Sequence, residues 1–218
     1  MPTATASTRF LALGDSYTIG ESVPESDRWP LQLAARLREH GIAIDAPRIL
    51  ARTGWTTDEL SLAMDDSTFA PPYALVTLLI GVNNQFRGRG LDDYRAQFSA
   101  LLARAIVLAG NDASRVIVVG IPDWGVTPYG RGSGRDTAQI ARELDAFNAA
   151  AHSIATQQHA HFVDIADLSR PHGDQERFDR SLIAGDGLHP SADLYARWIE
   201  RILPVAEARL RQDAQHLP

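Results

Sequence analysis

The sequence predicts a doubly wound α/β fold, in which a parallel sheet of about five strands is covered by helices on both faces. Short apolar runs alternate with longer amphipathic segments along the chain, as strands and helices do in such sheets. The central runs, LVTLLI and VIVV, show no alternation of polar and apolar residues, which is typical of parallel strands buried on both sides. With 218 residues the chain is long enough for one substantial core, and residues 1–218 are predicted to form a single domain.

The elements follow one another in a regular order. Five apolar runs are predicted to be strands, at residues 9–13, 48–51, 74–80, 115–121 and 161–165. Amphipathic spacing predicts three helices between them, near residues 29–39, 92–109 and 137–157. A last helix is expected to begin after Ser191, a suitable N-cap, and to run to about Arg211. The glycine- and proline-rich stretch 122–134 and the stretch 167–187 are predicted to be long loops, which in compact domains are often functional.

The composition excludes several kinds of chemistry. Hydrophobic residues make up 44% and charged residues 22% of the chain, as in ordinary globular proteins. The net charge of -6, with no basic cluster, argues against a nucleic-acid partner. The absence of cysteine excludes disulfides, thiolate metal sites and a cysteine nucleophile. All 21 basic residues are arginine, so P-loop, Schiff-base, Ser-Lys and phosphoryl-receiver chemistry lack their lysine.

The sequence predicts no membrane span. Its longest apolar run, around residues 73–82, is far too short to cross a bilayer and is predicted to be a buried strand. The N-terminal stretch MPTATASTRF has no charged start followed by an apolar segment, so no signal peptide is expected and the predicted location is cytoplasmic. The pattern leaves the oligomeric state open.

Polar residues follow the predicted strands at the edge where a doubly wound sheet gathers its active site. The first strand is followed by GDS, which ends at Ser16. The second is followed by RTGW, which contains Gly54, and the third by GVNN, which contains Asn83. The stretch DGLH, from Asp186 to His189, comes just before the last helix. Because the carboxyl ends of parallel strands share one edge, these residues are expected to lie close together.

These groups are the parts that acyl transfer requires. The Ser16 hydroxyl is a weak nucleophile that needs a general base, and the imidazole of His189 suits that role. A carboxylate, here Asp186, on the other ring nitrogen would hold the tautomer and stabilise the imidazolium. The N–H groups of Ser16 and Gly54 and the side-chain amide of Asn83 are candidate oxyanion donors, each typically worth about 3 kcal/mol of barrier lowering.

The four blocks resemble the signature blocks of the GDSL, or SGNH, esterases and lipases, in the family's order and over nearly the whole chain. The resemblance implies a three-layer, flavodoxin-like α/β/α fold and hydrolysis of small-molecule esters without a cofactor. It implies Ser16 as nucleophile, His189 as base and Asp186 as the residue that orients the base. It also implies an oxyanion hole formed by Ser16, Gly54 and Asn83.

The chain departs from the family pattern at two positions. Tyr17 stands where the family name has leucine, which is common variation. Asn84 stands where the third block usually has aspartate, so a second side-chain amide lies beside Asn83. Asn84 is therefore an alternative candidate for the donor role.

Other histidines are weaker candidates than His189. Because His189 precedes Pro190, it is expected to be extended and to stay in the loop. His172 is a rival base, but it has no carboxylate at matching spacing. A second D-x-x-H stretch, from Asp213 to His216, lies in the polar C-terminal tail and is interpreted as solvated.

Some residues near the predicted strand ends are interpreted structurally. Asp15 is expected to be a turn carboxylate rather than a catalytic group. His159 and His161 are expected to be a surface pair, because no third ligand is evident, and no metal site is predicted. Four aromatic residues in loops are expected either to line a pocket or to pack in the core: Trp55, Phe86, Trp124 and Tyr129.

The leading hypothesis is a serine esterase that hydrolyses small to medium acyl esters through an acyl-enzyme intermediate. The same residues would also serve a thioesterase, a lysophospholipase or a carbohydrate deacetylase, which differ in the leaving group. From a different class, a flavodoxin-like binding module without catalysis remains as an alternative. The ordinary G-x-S-x-G signature of α/β-hydrolases does not occur, which argues against that enzyme class.

Overall fold

The structure, a computed structural model, describes residues 8–170 and 179–215. A parallel five-stranded sheet forms the centre of this part of the chain. The strands are β1 (Phe10–Gly14), β2 (Arg48–Ala51), β3 (Leu75–Leu79), β4 (Val116–Val119) and β5 (His161–Val163). Every neighbouring pair is parallel, and the strand order is β2-β1-β3-β4-β5. This flavodoxin-like order confirms the predicted doubly wound sheet, and it places the ligand-binding crevice at the carboxyl ends of β1 and β3.

Helices cover both faces of the sheet. The α-helices are α1 (Ser16–Ile19), α2 (Trp29–Glu39), α3 (Thr57–Asp65), α4 (Val82–Phe86), α5 (Leu91–Leu108), α6 (Pro128–Gly132), α7 (Thr137–Gln157) and α8 (Ala192–Gln215). Helix α2 packs against α8, while α3 and α7 pack on either side of α5. The connection from β1 to β2 runs across the sheet in the opposite direction from all later connections. Because such connections are right-handed, α2 is expected on one face and α3, α5 and α7 on the other.

The predicted elements agree closely with the observed ones. The three amphipathic segments are α2, α5 and α7, with bounds that differ by at most one residue. The last helix begins after Ser191, whose Oγ accepts the N–H of Leu194 at 3.4 Å, as expected of an N-cap. It ends at Gln215, one turn beyond the predicted Arg211.

The predicted secondary structure needs correction in three respects, and the first is that the short helices α1 and α4 are absent from the predicted elements. Helix α3 is missing from the predicted elements, although its N-terminus carries a capping box in which Glu59 accepts the N–H of Thr56 at 2.9 Å. The predicted loop 122–134 contains a 3₁₀ helix, Trp124–Val126, and α6. Glycine and proline destabilise the interior of a helix, which is why this stretch is predicted to be a loop. Pro128, however, occupies the first position of α6, where proline is favoured.

The second predicted loop, 167–187, is only partly described, since residues 171–178 lie outside the described ranges. Short 3₁₀ helices, Ala166–Ser169 and Arg180–Leu182, flank that gap. The remainder forms an irregular segment that leads to α8 and carries Asp186 and His189.

The core is one cluster of buried apolar side chains that extends over the sheet and both helix layers. All five residues of β1 and all five of β3 are buried, which explains the unbroken apolar runs in the sequence. One core cluster agrees with a single domain over residues 1–218, which stays a prediction. No helix in the described part of the chain is long and apolar enough to cross a membrane.

Candidate active site

Ser16 lies at the first position of α1, directly after the buried strand β1. The residue is enclosed, with 5% of its surface exposed. The first N–H groups of a helix have no carbonyl four residues earlier to bond to. The backbone N–H of Ser16 is therefore available to a ligand beside its own hydroxyl.

Asp15 caps α1 and is fully buried. Its Oδ1 accepts the N–H of Tyr17 at 3.1 Å, as expected of a turn carboxylate. Its other oxygen, Oδ2, has no hydrogen-bond partner within the described residues. Burial raises the pKa of Asp15 to about 7, and the hydrogen bond from Tyr17 opposes this shift only in part. Asp15 is thus a buried acid beside the candidate nucleophile.

Replacing Asp15 with asparagine is expected to stabilise the protein above neutral pH. The folded-state pKa of Asp15, about 7, lies above the reference of about 3.9, so the folded chain holds a proton that the unfolded chain releases. This costs stability as the pH rises from about 4 to 7. The introduced amide keeps the acceptor for Tyr17 and has no proton to lose, so the advantage of the variant should grow by up to about 3 kcal/mol between pH 5 and 8.

Urea unfolding of both proteins at pH 5 and pH 8 measures this difference. Asp66→Asn, at an exposed helix end, is the matched control and should show no comparable pH-dependent gain. A gain for Asp15→Asn that is equal at both pH values would contradict the assignment of the proton to Asp15.

His189 and Asp186 contact each other in the segment before α8. Nδ1 of His189 lies 2.6 Å from Oδ2 of Asp186, and 7% of His189 is exposed. Oδ1 of Asp186 accepts the backbone N–H groups of Leu188 and His189, at 2.9 and 3.0 Å. Burial alone would raise the pKa of Asp186, but the hydrogen bonds from the imidazole and from these N–H groups lower it to about 2. The carboxylate is therefore ionised and held against the imidazole.

Ser22 also contacts this carboxylate, although no motif singles it out. Its Oγ donates to Oδ2 of Asp186 at 2.9 Å. The backbone φ of Ser22 is 65°, in the left-handed region that residues with a side chain rarely adopt. The preceding residue, Glu21, accepts a hydrogen bond from Thr53, which lines the candidate cavity. The turn after α1 thus contacts both the carboxylate of Asp186 and a residue of the cavity lining.

Gly54 lies in the loop after β2, where its backbone conformation requires glycine. Its φ is 86°, a value that side-chain-bearing residues rarely adopt. A Cβ at this position would come no closer than 3.6 Å to its nearest neighbour, Nη2 of Arg87, so the conformation rather than a lack of space selects glycine. The same Arg87 atom donates to the carbonyl of Gly54 at 2.6 Å and fixes this peptide.

Asn83 and Asn84 lie on the short helix α4 and have different surroundings. Nδ2 of Asn83 donates to the carbonyl of Trp55 at 2.9 Å, and because an amide nitrogen carries two hydrogens, a second N–H remains. Asn84 is fully buried: its Oδ1 accepts the N–H of Thr57 and its Nδ2 donates to the Thr57 hydroxyl, at 3.1 and 2.7 Å. Asn84 therefore braces the loop after β2, and this geometry does not favour it as an oxyanion donor.

A cavity of about 170 Å³ brings four of the predicted site residues together, namely Ser16, Gly54, Asn83 and His189. Asp186 contacts His189 and is not part of the lining. The walls are largely apolar and include Tyr17, Val82, Phe86, Trp124, Tyr129 and Leu188. Among the described residues, no aspartate, glutamate or arginine lines the cavity, so it suits an uncharged group.

Three of the four aromatic residues that the sequence placed near the cleft line this cavity. The exception is Trp55, which is partly buried against the core. The sequence did not identify Val82 or Leu188, although each is adjacent to a motif residue. Adjacency to a motif is the signal that could have found them.

The alternative histidines are placed elsewhere. His172 and His216 lie outside the described residues. His159 and His161 are exposed at the start of β5, which confirms the surface pair. His189 lies in the segment before α8, as predicted, and its carbonyl accepts the N–H of Ala184 at 2.7 Å beside the short antiparallel bridge between Ile183 and Pro190.

A flavodoxin-like sheet with a serine, an imidazole and a carboxylate at its carboxyl edge is the architecture of the SGNH hydrolases. The family model of the GDSL-like lipase/acylhydrolase family matches residues 12–197, and the chain belongs to this family. No curated protein sequence matches the chain.

Solved structures of similar fold include several esterases. A variant of the acetyl xylan esterase Axe2 from Geobacillus stearothermophilus is 17% identical, with a TM-score of 0.69 over 92% of this chain and 95% of that one. A lipase/acylhydrolase from Enterococcus faecalis is 19% identical, with a TM-score of 0.67 over 93% and 96%. A psychrotrophic esterase, EstA from Pseudoalteromonas sp., inhibited by monoethylphosphonate, is 15% identical, with a TM-score of 0.59 over 95% and 97%. At these identities the similarity shows the fold.

Proposed function

We propose that the protein is a serine esterase that hydrolyses small to medium acyl esters through a Ser16–His189–Asp186 triad. The observation that carries the proposal is the 2.6 Å contact between His189 Nδ1 and an ionised Asp186, beside a cavity lined by both His189 and Ser16. Family membership supports the reaction class.

In the acylation half-reaction, the Ser16 hydroxyl oxygen attacks the carbonyl carbon of the ester. Nε2 of His189 takes the hydroxyl proton, and Asp186 stabilises the imidazolium that results. The tetrahedral intermediate collapses as the bond to the alcohol oxygen breaks, and His189 returns the proton to that oxygen. The products are the free alcohol and an acyl group on Ser16.

Deacylation repeats these steps with water in place of the serine hydroxyl. His189 takes a proton from the water, whose oxygen attacks the acyl carbon. When the intermediate collapses, Ser16 leaves and recovers the proton from His189. The carboxylic acid is released and the resting enzyme is restored, so no cofactor is consumed.

The developing oxyanion needs donors that are in place before the reaction. The N–H of Ser16, the N–H of Gly54 and the second N–H of Asn83 Nδ2 are the proposed set. The contact from Asn83 to the Trp55 carbonyl supports this assignment, because it ties helix α4, which carries Asn83, to the loop that carries Gly54.

The same triad would serve thioesters, lysophospholipids or acetylated carbohydrates. These substrates differ in the leaving group, and each would be attacked by Ser16 in the same way. Comparison of kcat/KM across nitrophenyl esters, acyl thioesters, lysophospholipids and acetylated sugars identifies the preferred class. A binding module without catalysis predicts no turnover of any of them.

A phosphonate ester is the direct test of the nucleophile. Ethyl nitrophenyl phosphonates release nitrophenol as the serine oxygen bonds to phosphorus, and the adduct is stable. We expect peptide mass spectrometry to find one adduct, on Ser16, and hydrolysis of nitrophenyl butyrate to fall in proportion to labelling. Full labelling of another residue, or no labelling while esters are still hydrolysed, would overturn the assignment.

A further inference from the structure

The proposed mechanism divides the cavity into two sides. His189 must return its proton to the leaving oxygen, so the alcohol lies on the His189 side. The acyl chain then extends on the opposite side, beside Asn83. Phe86 lies three residues after Asn83 on α4, so the two share a helix face. Trp124 packs edge-on against Phe86, with ring centroids 5.4 Å apart, and both rings line the cavity, where they would border an acyl group beside Asn83.

Arg135 holds both rings from outside the cavity. Its guanidinium carbon lies 5.2 Å from the centroid of the Trp124 ring and 6.0 Å from that of Phe86, within the range of cation–π attraction. Its Nη1 also donates to the backbone carbonyl of Phe86 at 3.3 Å. One side chain thus restrains both the ring and the backbone at the end of the cavity.

Arg135 is itself fixed by a partly buried network. Its Nη2 contacts Oε2 of Glu143 at 3.2 Å, and the same oxygen accepts a hydrogen bond from Nε2 of Gln85 at 2.6 Å. Oε1 of Gln85 accepts the indole N–H of Trp124 at 2.9 Å. Gln85 and Trp124 are each 2% exposed. The four side chains form a closed ring of contacts, so Trp124 cannot move without breaking one of them.

We propose that this ring of Arg135, Glu143, Gln85 and Trp124 makes the esterase selective for short acyl chains, and that Arg135 is a specificity-determining residue. The inference rests on the proposed function. A dry cavity of about 150 Å³ admits benzene, so the cavity of about 170 Å³ has room for an acyl chain of about six carbons. Longer chains would have to displace Phe86. The substrate class is therefore esters of short, uncharged acyl groups.

The test is the ratio of kcat/KM for nitrophenyl octanoate to that for nitrophenyl butyrate. The wild type should favour butyrate. Arg135→Met keeps an apolar chain but removes the charge and the hydrogen bonds, so the octanoate/butyrate ratio should rise about tenfold. Arg95→Met, at an exposed arginine that pairs with Asp92 away from the cavity, is the matched control and should leave the ratio unchanged.

Phe86→Ala provides a second measurement if Arg135→Met is poorly folded. Phe86 is 44% exposed, so its truncation disturbs the core little, and it should raise the ratio at least as much as Arg135→Met. A wild type that prefers octanoate, or an unchanged ratio in both variants, would overturn the proposed selectivity for short acyl chains but not the proposed esterase activity. A wild type that hydrolyses no ester and whose Ser16 is not labelled would overturn both the proposed function and the proposed acyl-chain selectivity.

Discussion

Ser16→Ala is expected to lower kcat for nitrophenyl butyrate by at least about 10⁴-fold. Without the hydroxyl oxygen no acyl-enzyme forms, and only direct attack by water, assisted by the oxyanion donors, remains. Ser16 is enclosed at the start of α1 and the change removes one oxygen atom, so the fold should be retained. KM should change little, because the walls of the cavity are untouched.

The control for this variant is Ser153→Ala, at an exposed serine on α7, which should have wild-type kcat. Thermal unfolding of both variants separates loss of chemistry from loss of fold. Retention of more than about a tenth of the wild-type kcat by a folded Ser16→Ala protein would exclude Ser16 as the nucleophile, whichever leaving group the enzyme prefers.

The sheet was predictable because parallel strands buried on both faces leave unbroken apolar runs. β1 and β3 are the clearest cases, since every residue in them is buried. Long helices with one apolar face were equally clear. Short helices were not clear. Helix α6 spans only five residues in a stretch rich in glycine, so it shows no side-chain periodicity, and it is stabilised instead by its Thr127 cap and by its packing.

The candidate site likewise contains some residues that the sequence could place and others that it could not. The residues at the strand ends could be placed from topology alone, because the carboxyl edge of a parallel sheet is shared by all its strands. Ser22 could not be placed, because its contact with Asp186 joins positions 164 residues apart through a strained turn. Arg135 contacts the cavity lining through its packing against two rings and its hydrogen bond to the Phe86 carbonyl. Such contacts depend on side-chain geometry that no local pattern encodes.

Asp186→Asn is expected to lower kcat by about 10³- to 10⁴-fold, while KM stays close to the wild-type value. Oδ1 of Asp186 accepts two backbone N–H groups, so the amide oxygen of an asparagine should keep that place. The amide nitrogen then takes the position of Oδ2, which is 2.6 Å from Nδ1 of His189 in the wild type. An N–H at that point forces Nδ1 to accept, so the proton moves to Nε2 and the imidazole no longer takes the Ser16 proton.

The low pKa of Asp186 makes this test independent of pH across the working range. With a pKa of about 2, the wild-type carboxylate is ionised throughout pH 5 to 8, so the deficit of the variant should be of similar size at each pH in that range. Asp193→Asn, at an exposed carboxylate in the first turn of α8, is the control and should keep wild-type kcat. Phosphonate labelling of Ser16 should slow by a factor similar to kcat, because it needs the same base. A folded Asp186→Asn enzyme that labels and turns over at wild-type rates would show that His189 does not depend on Asp186 for its tautomer.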